Sequence, residues 1–345
     1  MDTAIELRSD NAAGVAPEIL AAVEAAGEGS AMAYGGDEWT ARLGERVAEV
    51  FEHPDASVFP VVSGTAANAI GLSALCPPWG SVLCHDTAHI MRNECGATSM
   101  FGAGAVMHGL PGDSYKLAPE SVRIAYATTR WGDPHHSQPS VLSLTCPTDH
   151  GTVYTPTEVA ALAAVAGEHG LRVHMDGARI ANAVAALGCT PAELTWRAGV
   201  DVLTLGATKN GVLSTDAIVC FDADIAEQLV YRVKRAGHVA SKMRFQSAQL
   251  DAYLTEGLWL RLAGTANAAM EVLAAGLRQL DVELLNDPQV NMLFARFPAS
   301  VVRHLEDAGL LFYDMDDQVV RFVTSFQTTE ADANEAVRRI GLALS

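Results

Sequence analysis

From Ser57 onward the chain alternates short apolar strands with helices of moderate length, and that rhythm restricts the fold more than any other feature. Val58 to Val62 reads as a strand and Ala66 to Leu75 as a helix; Ser81 to Cys84 is a strand followed by a helical stretch from Ala88 to Cys95. Strands are expected again at Ala105 to Met107, Val141 to Leu144, Arg172 to Met175, Asp201 to Leu205 and Ala217 to Phe221. Helices are expected from Thr157 to His169 and from Ala178 to Leu187. Strands separated by helices of this length form a mostly parallel sheet covered on both faces, a three-layer α/β/α arrangement. Such sheets bind ligands at the carboxyl ends of their strands. The segments just after a strand are therefore where chemistry is to be sought.

The flanks of this region read differently. Leu7-Arg8-Ser9-Asp10-Asn11 precedes a helix from Pro17 to Ala26, and an amphipathic helix follows from about Trp39 to Phe51. After Asp222 the pattern turns helical, with Ile225 to Ala236 and Phe245 to Leu262, the latter continuing to Leu280. Shorter elements close the chain: Gln289 to Phe294, a helix from Pro298 to Ala308, a strand from Gln318 to Thr324 and a helix from Ala331. Residues 31–255 are expected to form a large α/β domain. Residues 256–345, packed with 1–30, are expected to form a smaller C-terminal α+β domain. A length of 345 residues suits such a division.

Composition excludes several function classes. With 49% hydrophobic and 19% charged residues the chain is an ordinary soluble globular one, and a net charge of −18 argues against nucleic acid or an anionic membrane as partner. No apolar run reaches the roughly 18 residues that a membrane span needs. Met1-Asp2-Thr3-Ala4-Ile5-Glu6 has neither a basic nor an apolar signal region, so no secretory signal is expected. The six cysteines form no CxxC pair and sit in mostly apolar surroundings. They read as buried small hydrophobes of a reducing compartment, which makes the cytoplasm the expected location and a metal site unexpected.

Four strand ends carry reactive residue types. After the first strand, Ser63-Gly64-Thr65-Ala66-Ala67-Asn68 opens a helix with hydroxyls around a glycine; this is either a phosphate cup on a helix N-terminus or a simple Ser/Thr cap. After Cys84, His85-Asp86-Thr87-Ala88-His89 puts His89 on a first helical turn. There a neutral imidazole can lie flat on a planar cofactor, or simply be solvated. At Met175-Asp176-Gly177-Ala178-Arg179 a carboxylate ends a buried strand. Arg179 can pair with Asp176, or clamp a carboxylate ligand bidentately. In Gly206-Ala207-Thr208-Lys209-Asn210-Gly211 two glycines bracket a lysine between apolar strands, where it is a solvated loop lysine or a desolvated Schiff-base lysine. Anion cup, flat partner, carboxylate and amine on one sheet edge are what pyridoxal 5′-phosphate needs. Their order along the chain is that of the aminotransferase-like pyridoxal enzymes.

The residues sharpen into a resemblance. Ser9-Asp10, Tyr34-Gly35-Gly36-Asp37, Ala88-His89-Ile90 with Glu94, Asp176-Gly177-Ala178-Arg179, Thr208-Lys209-Asn210-Gly211, Lys242-Met243-Arg244 and Arg321-Phe322-Val323-Thr324 are similar to the low-specificity L-threonine and phenylserine aldolases. These are pyridoxal-dependent aldehyde-lyases of fold type I. The resemblance implies retro-aldol cleavage of threonine, allo-threonine or phenylserine to glycine and an aldehyde. It implies that Lys209 carries the cofactor, Asp176 pairs with its ring nitrogen and His89 stacks on the ring. Ser63, Gly64, Thr65 and Arg244 would hold the phosphate, and Ser9, Arg179 and Arg321 the substrate carboxylate. Tyr34 and Arg244 lie on segments that reach a neighbouring subunit's site in this family, so a homodimer or homotetramer is implied. One departure stands out: many relatives carry Asn-Thr-His after the strand that here ends Thr145-Cys146-Pro147-Thr148-Asp149-His150. Asp149 falls where their histidine falls, which leaves His89, His135, His136, His150 or water as the proton acceptor. The loop from Trp131 to His136 is a candidate for setting substrate choice. The alternatives are an aminotransferase or β-eliminating lyase on the same scaffold, or a cofactor-binding protein without turnover.

Overall fold

The computed structural model describes residues 4–315 and 318–345; residues 1–3, part of the N-terminal segment assigned above to the small domain, lie outside the described residues. In chain order the strands are β1 (Ile5–Glu6), β2 (Ser57–Val61), β3 (Gly80–His85), β4 (Val106–Leu110), β5 (Gln138–Thr145), β6 (Arg172–Gly177), β7 (Val202–Leu205) and β8 (Asp216–Cys220). They continue with β9 (Glu283–Leu284), β10 (Met292–Arg296), β11 (Leu310–Leu311), β12 (Tyr313–Met315) and β13 (Val319–Val323). The large sheet has seven strands in the order β2-β8-β7-β6-β5-β3-β4. Its interior pairs β3–β4, β3–β5, β5–β6 and β6–β7 are parallel, while β8 runs against both β7 and β2. Two reversals restore direction, so β2 points the same way as β7. The carboxyl ends of β2, β3, β5, β6 and β7 therefore share one edge, with the start of β8 beside them.

Alternation along the strands covers both faces. Leu83, Leu142, Leu203 and Val219 point into one core with Leu43, Val47, Leu162 and Val184 from the helices Glu38–Val50, Pro156–Glu168 and Ile180–Leu187. Their neighbours Val82, Val141, Val202 and Ile218 point into the other, against Ile70 and Leu229 from the helices Gly64–Leu75 and Ala223–Arg235. Each fully buried side chain of this kind contributes about 1.5–3 kcal/mol of transfer free energy. The fold is thus the three-layer α/β/α arrangement expected, with a mostly parallel sheet. A smaller α+β unit follows, built on the antiparallel sheet β12-β13-β10-β9. β1 pairs in parallel with β11, and Leu7 joins Leu273, Leu293, Phe322 and Ile340 in a separate core. The N-terminal segment is thereby stitched to the C-terminal unit, and the backbone N–H of Val323 donates to the carbonyl of Leu7 at 2.8 Å.

Local backbone geometry departs from the expected elements in two places. The helix expected from Phe245 through Leu280 is two helices, Arg244–Leu254 and Leu258–Gln279, because Glu256 (φ +49°) and Gly257 (φ +67°) take left-handed conformations that a right-handed helix cannot continue through. The stretch from Ala88 to Cys95 is a single turn, His89–Arg92, ended by left-handed Cys95 (φ +52°) and Gly96 (φ +73°). That short turn leaves His89 at the sheet edge.

Candidate active site

Lys209 is held on a stiff turn. Gly206 follows β7, and a Cβ there would lie 2.2 Å from the carbonyl oxygen of Ala178. Only glycine lets the ends of β6 and β7 approach so closely. The carboxylate of Asp216, the first residue of β8, accepts from the N–H groups of Ala207 (2.7 Å) and Thr208 (3.0 Å). The Asn210 amide donates to the Tyr253 hydroxyl and to the carbonyl of Trp259, each at 2.8 Å. Lys209 itself is half-buried. Burial pushes its ammonium pKa down and the Arg179 charge acts in the same direction, against Asp10, Asp176 and Asp149. The turn thus presents an amine more easily deprotonated than a free lysine.

Asp176 ends β6 opposite Thr145 of β5. Its oxygens accept from the Asn68 amide (3.0 Å) and from the N–H of Ala178 (3.1 Å). Asn68 stands on the helix that opens after β2, and the same amide donates to Glu94 at 2.8 Å. Glu94 in turn bonds Nδ1 of His89 at 3.0 Å. That bond raises the His89 pKa, ahead of an opposing effect of burial. The bond fixes the orientation of the imidazole from behind. His89, Glu94 and Asp176 place one ligand atom each within 4.8 Å of one another, a spacing that suits a metal ion. The Asn68 amide already donates to both carboxylates there, which makes the cluster a hydrogen-bonded chain.

At the end of β2, Ser63 caps the helix Gly64–Leu75 by accepting from the N–H of Ala66 at 3.3 Å. A hydroxyl that accepts keeps its own O–H to donate, and the first N–H groups of the helix have no intrahelical partner. A Cβ on Gly64 would meet nothing nearer than the Asp216 carboxylate at 3.9 Å, so the helix end faces open space. The Thr208 hydroxyl is buried with no hydrogen-bond partner and lines the same cavity. That cavity, of about 250 Å³, is bounded by Ser63, Gly64, Thr65, His89, Asp176 and Lys209.

The two arginines differ. The fork of Arg179 closes on Asp10, with Nε donating to Oδ2 at 2.6 Å and Nη2 to Oδ1 at 2.8 Å. Neither of the alternatives read from the sequence anticipates this: the arginine grips neither Asp176 nor a ligand through that edge. Asp10 also accepts from Asn291 at 3.1 Å. Arg321, on β13, donates to the carbonyl of Arg8 at 3.3 Å and lies over the Tyr313 ring, and its Nε is buried without a partner. A buried guanidinium N–H without a partner is a ready donor to a carboxylate. Ser9 is half-buried next to Asp10, and its hydroxyl accepts from the N–H of Asn11 at 3.2 Å.

Five further sequence candidates do not line the cavity of this chain. His135 and His136 precede β5, at the amino end of the sheet, about 25 Å along an eight-residue strand from the reactive edge. The expectation that the loop from Trp131 to His136 meets the substrate is corrected accordingly for the chain's own site. His150 is stacked on Tyr115 with centroids 3.4 Å apart and on Phe294 at 5.1 Å, and burial lowers its pKa to about 4. Tyr34 is exposed beside Lys234, and Arg244 donates to the carbonyl of Gly29 at 3.4 Å and lies over the Phe245 ring. Sequence reasoning missed the structural parts played by Asp10, Asn68 and Asp216. Asp216 had a signal, as an acidic residue opening an apolar strand.

Pyridoxal 5′-phosphate fits this donor set. The open helix end with Thr65 and the unpaired Thr208 hydroxyl suits a phosphate, the fixed Asp176 carboxylate a protonated ring nitrogen, and the half-buried Lys209 an aldehyde. Comparison with known proteins agrees. A family model for β-eliminating lyases matches residues 6–300. The low-specificity L-threonine aldolase of a Pseudomonas species is 41% identical over all of this chain and 99% of its own length, and that of Pseudomonas aeruginosa is 40% identical over 98% of both. Among solved structures, the threonine aldolase of Leishmania major superposes with a TM-score of 0.93 at 25% identity, covering 99% of this chain and all of that one. A site assembled from Lys209, Asp176 and His89 on a fold-type-I sheet, in a chain this close to those enzymes along its whole length, places the protein in the pyridoxal-dependent low-specificity L-threonine aldolase family.

Proposed function

We propose that this chain binds pyridoxal 5′-phosphate at Lys209 and cleaves L-threonine, L-allo-threonine or L-phenylserine between Cα and Cβ, giving glycine and an aldehyde, reversibly. The observation that carries the reading is the convergence of Lys209, Asp176 and the His89–Glu94 pair on one cavity. When bound, the cofactor supplies a sink for the electron pair released at Cα. The protein's own residues do the rest. Asp176, fixed by Asn68 and Ala178, would hold the proton on the ring nitrogen. His89, oriented by Glu94, would cover the ring. The helix end at Gly64 and Thr65, with Ser63 and Thr208, takes the phosphate. Arg321 through its unpaired Nε, with the remaining N–H groups of Arg179 and the Ser9 hydroxyl, grips the substrate carboxylate. That grip would fix the orientation of the substrate, and orientation of this kind contributes on the order of 7–11 kcal/mol.

We further propose a homodimer or homotetramer in the cytoplasm. Met32, Tyr34, Met100 and Tyr231 are large, apolar and exposed, and a cleft of about 610 Å³ lies against Met100 and Tyr231 away from the site. Such surface fits a subunit contact, and would bring Tyr34 and Arg244 to a neighbour's site. All six cysteines are free, and no described helix is long and apolar enough to cross a membrane. The test is to supply the holoenzyme with threonine, allo-threonine and phenylserine and to measure aldehyde and glycine. A keto acid in place of the aldehyde would instead favour the aminotransferase or β-eliminating reading, the latter suggested by the wider family match.

A further inference from the structure

The retro-aldol step needs a group to take the proton of the substrate's β-hydroxyl, and the four histidines with that potential are disposed of by the fold. His135 and His136 lie at the far end of β5. His150 is sandwiched between Tyr115 and Phe294. His89 is tied through Nδ1 to Glu94 and is the residue assigned above to the cofactor ring. The residue left is one that the sequence reading set aside. Asp149 follows the carboxyl end of β5, next to the strand that ends in Asp176. It sits in a tight turn in which the N–H of Thr148 donates to the carbonyl of Thr152 at 2.8 Å and the two threonine hydroxyls are 2.7 Å apart. The small unit clamps that turn, since Asn286 donates to the carbonyl of His150 at 3.0 Å and Gln289 accepts from the N–H of Val153 at 2.6 Å. The Asp149 carboxyl thus has a fixed position.

Its surroundings are those of the site. The charged and titratable groups acting on it are His89, Asp176, Arg179 and Lys209, and it acts in turn on Arg321. The first four come from the ends of β3, β6 and β7, and Arg321 from β13. Oδ2 of Asp149 is buried and has no hydrogen-bond partner. A buried carboxylate oxygen without a donor is costly, and a catalytic role is one reason for a native structure to keep such a group. We infer that Asp149 is the group that hydrogen-bonds the substrate's β-hydroxyl and receives its proton when the Cα–Cβ bond breaks. The inference rests on the retro-aldol reading above. In the step, the O–H bond breaks and its proton passes to Oδ2 of Asp149. The oxygen's electron pair forms the aldehyde C=O, and the Cα–Cβ pair is left on the glycine fragment. In the synthetic direction Asp149 returns the proton to the new hydroxyl. Burial raises the Asp149 pKa above the ordinary carboxylate value, which suits a base working nearer neutrality.

The experiment compares wild-type, Asp149→Asn and Asp149→His holoenzymes in three measurements. These are phenylserine cleavage across pH, glycine affinity by absorbance titration, and exchange of the glycine α-proton by NMR. Glycine has no β-hydroxyl, so binding and exchange report on the rest of the site. Asp149→Asn is expected to lower kcat/KM for cleavage by about 10²–10⁴-fold and to abolish the acid limb of the pH profile. Glycine affinity and exchange stay within about threefold, and histidine at the position restores part of the cleavage. Cleavage by Asp149→Asn at the wild-type rate, or loss of glycine affinity in proportion to cleavage, overturns the assignment. Wild-type holoenzyme that binds glycine and cleaves no β-hydroxy-amino acid overturns the retro-aldol reading as well, so the two failures are distinguishable.

Discussion

Replacing Asp10 with asparagine keeps the side chain's size and removes the one carboxylate that the Arg179 fork touches. Asp10 is 2% exposed and its partner 10%, and the two bonds of 2.6 and 2.8 Å are bidentate. Taking one partner from a buried pair of this kind costs about 3–5 kcal/mol, because the remaining charge stays buried without compensation. At about 2.1 cal/mol/K per residue, a chain of this length unfolds with about 0.7 kcal/mol/K of entropy, so the melting temperature should fall by about 4–7 °C. The pH dependence supplies a second handle. Burial by itself would raise the Asp10 pKa, but Arg179, helped by Lys209 and Asn291, outweighs it and holds the carboxyl below its ordinary 3.8. A carboxylate whose pKa is depressed by folding stabilises above the unfolded value and loses that contribution as pH falls through the folded one. The gap between wild type and Asp10→Asn should therefore be full at neutral pH and close below about pH 3.8. Calorimetry of both apoproteins from pH 7 to pH 3 is the assay. A gap under about 1 kcal/mol, or one that persists unchanged in acid, would mean that the Asp10–Arg179 pair does not stabilise the fold in this way.

Two other substitutions separate packing from chemistry. Gly206→Ala forces a Cβ to within 2.2 Å of the Ala178 carbonyl, so the β6 and β7 ends must part; a loss of about 1–3 kcal/mol and weaker cofactor uptake should follow, read by denaturant titration and by absorbance. His150→Phe should keep cleavage within a few-fold, since the ring is a packing element between Tyr115 and Phe294; a drop beyond about tenfold would mean that His150 acts on substrate. Because burial lowers the His150 pKa from 6.5 to about 4, the wild type should lose stability as pH falls through that window and the phenylalanine variant should lose less.

Much of the site was legible because its residues follow strands. Once β2, β3, β6 and β7 are recognised as parallel, Ser63, His89, Asp176 and Lys209 must share an edge, whatever the details of the loops. The same rule read in reverse would have excluded His135 and His136, which precede a strand. Contacts between residues distant in sequence were not legible. Asp10 meets Arg179 across 169 positions, and Asn68 meets Asp176 across 108. No local pattern distinguishes a carboxylate that will neutralise an arginine from one that will face a ligand. The break at Glu256 and Gly257 was missed for a related reason, since the apolar period continues through it while the backbone does not.

The central claim is that Lys209 carries the cofactor. Borohydride reduction of the purified holoenzyme, followed by proteolysis and mass spectrometry, tests it most directly. The expected result is loss of the visible absorption band and one pyridoxyl-modified peptide, with the label on Lys209 and no labelled peptide from Lys209→Ala. A label on another lysine, or undiminished cleavage activity in Lys209→Ala, would contradict it.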